Sequence, residues 1–243
     1  MTKSEISRLC AKNFNENGIP QFAAPKITEK LAELCEIFLE ANKAMNLTAV
    51  RDEKLVVSRH FADCLISAPF FPVGTNVLDV GSGGGMPALP LAIARPDLKI
   101  TALDATAKKT AYIENTARAL GLSNVSVVTG RAEELARSAL RASFDAVTAR
   151  AVAQTNVLLE LCVPFLKKGG VFVCLKGKNC AEEATAAESA AKALNCALAE
   201  DREFSLRDVD GETSERHILI YKKIGENSEN YPRKYAQILK NPL

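Results

Sequence analysis

Tryptophan is missing from this sequence, and aromatic side chains are scarce: ten phenylalanines and four tyrosines among 243 residues. A surface that grips single strands by stacking bases on aromatic rings would have little to work with. Any contact with nucleic acid is therefore expected to rest on local lysines, arginines and the backbone, and to be salt-sensitive. An excess of charge is also lacking, since 31 Lys and Arg stand against 29 Asp and Glu for a formal net charge of +2. A balance this even neither requires nor forbids a polyanionic partner. No CxxC pair exists; Cys10, Cys35, Cys64, Cys162, Cys174, Cys180 and Cys196 are dispersed over mostly apolar segments. That pattern excludes a disulfide frame or zinc ribbon and reads as reduced thiols in a cytosol. No run reaches the ~18 apolar residues of a membrane span, and the polar start MTKSEISRLCAKNFNENG lacks a signal peptide's apolar stretch. The triplet NLT at Asn46 matches a glycosylation acceptor, but without secretion the match is empty. The expectation is a soluble cytoplasmic protein with no membrane partner and no metal.

What is present is an ordinary globular composition, 47% hydrophobic and 25% charged, long enough for one large domain with a small appendage. Apolar residues at Ile27, Leu31, Leu34, Phe38, Ala41 and Met45 have helix spacing, and residues 52–68 also read as helical. At Thr75 the texture changes. TNVLDV, LKITALD, VSVVTG, FDAVTARA and GGVFVCLKG read as buried strands. Between them lie ALPLAIAR, ATAKKTAYIENTARALG (ended by Gly121), AEELARSAL and a segment near 154–167, all helical. NCAEEATAAESAAKAL reads as a solvated helix. Two more strands are expected near 197–206 and 216–224, joined as an antiparallel hairpin by the turn residues DVDGE. Alternation of this kind predicts an α/β fold, a Rossmann-like parallel sheet covered on both faces and seven-stranded with its last hairpin. The expected divisions are 1–70 as a helical cap, 71–224 as the core and 225–243 as a basic tail containing Arg233, Lys234 and Lys240.

The stretch LDVGSGGGMPALPLAIARP concentrates four glycines, Gly81, Gly83, Gly84 and Gly85, just past the first strand. In such sheets ligands sit beyond the carboxyl ends of the strands, and a glycine loop there lets the main chain touch them. The dinucleotide fingerprint wants a glycine at its sixth position, where this chain has Met86. Asp79 is awkward beside a pyrophosphate and suits a ligand carrying an ammonium and a sulfonium. The closing hairpin also fits a methyltransferase sheet better than a six-stranded dinucleotide fold. Asp104, 23 residues after Gly81 at the end of the second strand, is placed to accept ribose hydroxyl protons; alone it would more simply cap a helix. S-adenosylmethionine is the expected cofactor.

Seven blocks, NKAMNLT (Asn42 to Thr48), RHFADCL (Arg59 to Leu65), the glycine stretch, LDATAKK, GRAEEL, TARAV and LKG, follow in one order. In that order the chain resembles the bacterial ribosomal RNA small subunit methyltransferase G family, also called the glucose-inhibited division protein B family, from about residue 40 to 224. The resemblance implies a class I S-adenosylmethionine-dependent fold and methyl transfer to N7 of a guanine in 16S rRNA, either naked or in the small ribosomal subunit, by a monomer. It implies cofactor contacts at Gly81, Met86, the Ala132 and Glu133 pair and Arg150, in line with Asp79, Gly83, Gly85 and Asp104. Two departures are visible: Ala105 stands where relatives usually carry serine, and the tail reads YAQIL after YPRK instead of Gly-Thr-Pro.

N7 of guanine carries a lone pair and no proton, so attack on a sulfonium methyl needs no general base, only alignment and exclusion of water. The sequence agrees, with neither an Asn/Asp-Pro-Pro-aromatic motif nor a Pro-Cys nucleophile. No catalytic residue is therefore assigned. Arg150 and Lys176 follow the fourth and fifth strands and are candidate substrate contacts, to O6 or phosphate, with structural ion pairs as the plainer alternative. Asn46 either shapes the rim of the site or caps a turn; Arg233 and Lys234 are candidate RNA contacts. His60, with Asp63, reads as a packed structural residue. Lys108, Lys109 and Arg131 face either RNA or solvent. Two other classes stay open on the residues alone: an NAD(P)-dependent oxidoreductase, and a non-catalytic RNA-binding factor on a decayed methylase fold.

Overall fold

Helix-spaced apolar residues build a cap before the first strand forms. The computed structural model describes residues 1–150, 153–178 and 180–243. It opens with α1 (Lys3–Glu16), begun by a capping box in which Thr2 and Glu5 satisfy each other's backbone donors. Ile6, Cys10 and Phe14, four residues apart, bury its inner face. Then come α2 (Pro25–Met45), α3 (Glu53–Val56), a π-helical stretch (Val57–Ala62) and α4 (Asp63–Leu65). A π-helical turn frequently marks a functional position, and this one carries Arg59 and His60.

The core alternates as the residue pattern predicts: β1 (Asn76–Val80), α5 (Ala88–Ala94), β2 (Lys99–Asp104), α6 (Ala107–Ala119), β3 (Val125–Thr129), α7 (Ala132–Leu135), β4 (Phe144–Arg150), α8 (Thr155–Cys162), β5 (Leu166–Gly177), α9 (Cys180–Ala186), α10 (Glu188–Ala193), β6 (Cys196–Arg207), β7 (Thr213–Lys223) and α11 (Tyr235–Lys240). The sheet order is β3-β2-β1-β4-β5-β7-β6. Strands β1 to β5 run parallel, and β7 lies antiparallel between β5 and β6. The expected hairpin is therefore present. The strand order reverses at β1, and the crevice above the ends of β1 and β4 is where such sheets hold ligands.

Period-two alternation splits the buried residues between two layers. Val77, Ile100 and Ala146 face the layer that contains Phe38 and Leu65 of the cap and the adjoining Phe71, while Leu78, Val80 and Val147 face α8 and α10. The cap thus shares one core with the sheet. Arg95 fastens the two by donating to the carbonyls of Ala68 and Phe71.

Two expectations need correction, and the tail proves to be anchored. The helix near 154–167 ends at Cys162, because Pro164 forms a short 3-10 turn and Leu166 already opens β5. The segment 179–194 is two helices, with Asn179 itself outside the described residues, and its inner side is not solvated: Ala187, Ala190 and Leu194 are buried. The tail, finally, is strapped down. Arg137 donates to the carbonyls of Glu229, Asn230 and Pro232, and Arg141 to those of Asn227, Ser228 and Tyr231.

Candidate functional site

The glycine loop is tied to the end of β2. Gly81 N donates to Leu103 O at 2.8 Å, and Ser82 N to the same carbonyl at 3.0 Å. Asp104 completes the tie: its Oδ2 accepts from Gly83 N at 3.0 Å and its Oδ1 from Thr106 N at 2.9 Å. Each carboxylate oxygen keeps a second lone pair for a ligand. Two glycines have identifiable causes. At Gly85 the backbone turns through φ +81, and at Gly84 a Cβ would stand 2.7 Å from Phe38 Cε2 and 3.3 Å from Leu47 Cβ. The cap therefore presses directly on the loop.

Between them lies a cavity of about 420 Å3. Its floor is Gly81 to Gly84, Met86 and Asp104; its roof is Phe38, Leu47, Thr48 and His60; Lys109 and Arg150 stand at the sides. Of the expected site residues, the structure thus gathers Gly81, Gly83, Met86, Asp104 and Arg150 around one space. Asp79 lies beneath the loop, 1% exposed, its Oδ2 accepting from Ala88 N at 3.2 Å. Its Oδ1 has no hydrogen-bond partner among the described residues, and burial pushes its carboxyl up to about 7.

The roof is held by a chain of polar contacts. Arg150 donates to Asp63 Oδ2 at 2.8 Å and to His60 Nδ1 at 3.2 Å. A guanidinium can only donate, so Nδ1 is the unprotonated nitrogen and Nε2–H faces Thr48 Oγ1 at 3.0 Å. Burial first, then the Arg150 charge, lower the His60 pKa to about 4. The ring is a neutral strut with both nitrogens engaged. Asp63 also accepts from Arg216 Nε at 2.8 Å through Oδ1, so a single buried carboxylate orients two arginines.

The other candidates are distributed as follows. Asn46 is exposed and closes α2 in the left-handed conformation at φ 50, with Leu47 and Thr48 immediately entering the roof. It caps the turn that delivers the rim. Ala132 and Glu133 open α7 outside the crevice wall, linked to it through Gly130 N, which donates to Asp104 O at 3.1 Å. Lys176 is consumed by Glu183 at 2.6 Å and by Ala153 O at 2.7 Å, and Lys108 reaches back to Ala44 O at 3.4 Å. Arg131 is exposed, 3.9 Å from Glu133.

Arg233 requires correction as a free RNA contact. Its guanidinium forks onto Glu160, which is 0% exposed, at 2.9 and 2.6 Å, and its N–H adds a third bond at 2.8 Å. A fully buried carboxylate demands such a partner. Lys234 remains exposed at the N-cap of α11. Residues missed by the sequence reading include Phe38, Leu47 and Thr48 of the roof and Arg216 on β7. The block RHFADCL signalled the region of Asp63, whereas nothing local marks Arg216.

S-adenosylmethionine fits these residues: a carboxylate with spare lone pairs at a strand end, a main chain that no side chain screens, and one orphaned buried acid oxygen below it. Comparison with solved structures agrees at the level of fold. The chain is similar to M. jannaschii TYW2 in complex with AdoMet (TM-score 0.53, 17% identity, 68% of this chain and 76% of that one). It is likewise similar to a SAM-dependent methyltransferase from Methanosarcina mazei (TM-score 0.53, 17% identity, 66% and 98%). Among curated relatives, "Ribosomal RNA small subunit methyltransferase G" of Brevibacillus brevis is 39% identical over 100% of both chains. The protein of that name from Lachnoclostridium phytofermentans is 40% identical over 86% of each. The model of the family described as rRNA small subunit methyltransferase G matches residues 27–207. With that match over most of its length, and the glycine loop, Asp104 and capped crevice that it spans, this chain belongs to the rRNA small subunit methyltransferase G (GidB) family.

Proposed function

We propose that the protein transfers the methyl group of S-adenosylmethionine to N7 of a guanine in 16S rRNA of the small ribosomal subunit. One observation carries the reading: the glycine loop and Asp104 meet the cap's Phe38–Thr48–His60 roof around a single crevice at the switch point of the sheet. When bound there, the cofactor supplies an electrophilic methyl on a sulfonium. The chain's own residues supply position. Asp104 receives the ribose hydroxyls, and Gly81 and Gly83 keep the loop open to the amino-acid end. Gly85 serves the loop from behind by leaving room for Leu89, 2.5 Å from where its Cβ would be. Met86 packs at the loop's exit, and the orphaned oxygen of Asp79 attracts the ammonium from below. Ala132 and Glu133, brought close by the Gly130 bond, border the adenine side.

No step requires a base, because N7 carries no proton. The roof supports this: His60 has no free lone pair to offer, one nitrogen being covered by Arg150 and the other carrying hydrogen toward Thr48. Roof and floor together exclude water from the methyl transfer. On this reading residues 1–70 roof the crevice, 71–224 bind the cofactor, and 225–243 strap α7 to α8. Asn46 and Lys234 supply rim and backbone contacts, and binding is dominated by electrostatics because aromatic platforms are few. No described helix is long and apolar enough to cross a membrane, and a monomer acting in the cytoplasm meets every requirement of the reaction.

The experiment is transfer of a tritiated methyl group to 16S rRNA from cells lacking this protein, with mass-spectrometric mapping of the modified base, beside cofactor calorimetry. Label at N7 of one guanine is expected. Binding of NAD(H) but not S-adenosylmethionine would overturn the reading in favour of a dehydrogenase, and cofactor binding without transfer would favour a non-catalytic RNA-binding factor.

A further inference from the structure

We propose that a second cavity, adjoining the crevice, is a site for one phosphodiester of the RNA strand, with Arg216 as its principal anion-binding residue; the proposal rests on the RNA-methylating reading above. The cavity measures about 530 Å3 and shares Arg150 with the cofactor crevice. Its wall comes from four distant parts of the chain: Arg59 of the π-helical turn, Arg150 at the end of β4, Lys176 at the end of β5 and Arg216 near the start of β7. The antiparallel pairing of Gly177 with Arg216 is what carries this last residue to the ligand end of the sheet.

The charge balance identifies the ligand class. Arg59 is neutralised from outside the wall by Asp208 at 3.0 Å, with the exposed Glu212 at 3.8 Å. Within the wall remain Arg150, Lys176 and Arg216 against Asp63 and Glu183. Glu183 is committed to Lys176, and Asp63 is shared by both arginines at 2.8 Å each. One positive charge is left over, the complement of one phosphodiester. Arg216 is the more exposed member of the shared pair, with a side chain 28% exposed against 15% for Arg150. It spends Nε on Asp63 and Nη1 on the carbonyl of Glu215, leaving Nη2 without a partner among the described residues. A guanidinium anchored by a buried acid, with donors to spare, is preorganised for phosphate.

The placement suits the reaction. A base splayed into the crevice leaves its sugar–phosphate outside, and one arginine side chain separates the crevice from this cavity. Single-stranded RNA is held through such backbone contacts once its base is unstacked. Arg216 would then hold the strand in register while the base meets the methyl.

The test measures binding of unmodified, in vitro transcribed 16S rRNA between 50 and 200 mM KCl. Losing one contacted phosphate of a single strand lowers the slope of log K against log salt by ~0.7, so the affinity gap between wild type and variant narrows about 2.6-fold over that range. Arg216→Gln is expected to show this with S-adenosylmethionine affinity unchanged, and Arg216→Lys to retain the slope. If Arg216→Gln does not fold, Arg216→Met, which keeps the apolar stem and removes the charge, carries the same measurement. An unchanged slope, or a loss of cofactor affinity in step with RNA affinity, overturns the proposal while leaving methyl transfer intact. Absence of RNA binding and of methyl transfer by the wild type removes the functional reading along with it.

Discussion

Asp63→Asn tests the idea that one buried carboxylate organises the roof of the crevice. Asp63 is 7% exposed and accepts from Arg150 and Arg216, each at 2.8 Å. Asparagine has the same shape but only one acceptor oxygen, so its amide NH2 must confront one of two guanidiniums that can only donate. Removing one partner of a buried ion pair costs about 3–5 kcal/mol. The partial exposure of Arg216 places this case near 3. For a chain of this length each kcal/mol lowers Tm by about 2–4 °C, which predicts a fall of about 6–12 °C. The assay is thermal unfolding of wild type, Asp63→Asn, Arg216→Gln and the double variant. The double variant should cost less than the sum, with a coupling of at least ~0.5 kcal/mol, because one orphaned guanidinium has been removed. A Tm within about 2 °C of wild type, or strict additivity, would refute the reasoning.

Gly84→Ala drives a methyl group to 2.7 Å from Phe38, itself 1% exposed. Urea unfolding should show a loss of about 1–3 kcal/mol and calorimetry weaker cofactor binding; wild-type values in both would contradict the cap-on-loop contact. Arg233→Met strands the fully buried Glu160 and should cost about 3–5 kcal/mol, partly restored by adding Glu160→Gln, with no change in the salt slope of RNA binding. His60, with a folded pKa of about 4 against 6.5 unfolded, binds its proton more readily in the unfolded chain. Its contribution is complete above pH 6.5 and is lost as pH falls toward 4, by about 3 kcal/mol. Asp79, raised to about 7 from 3.8, slopes the opposite way over pH 3.8–7 and is common to both proteins. His60→Asn should therefore lose less stability than wild type on acidification from pH 6.5 to 4, and parallel curves would exclude the assignment.

Much of this was legible because local physics writes it locally. Strand runs such as NVLDV and KITALD, the breaker Gly121, and the glycines beside Asp104 declare themselves in residue type and spacing. The first helix was harder to see, since Ile6, Cys10 and Phe14 sit among polar residues and only burial against α2 reveals their common face. Arg233 misled for a related reason. A basic tail looks solvated until a buried acid, Glu160, turns up beneath it.

Sequence alone therefore determined the alternating α/β core, the glycine loop with its strand-end acid, and the family to which they belong, because backbone conformation and hydrophobic periodicity are set within a few neighbouring residues. Tertiary structure decided which charges are spent and which remain. Asp63 meets Arg150 and Arg216 across 87 and 153 residues of chain, and Glu160 meets Arg233 across 73. Pairings at such separations are chosen by the packing of helices and strands, so no stretch of sequence records them.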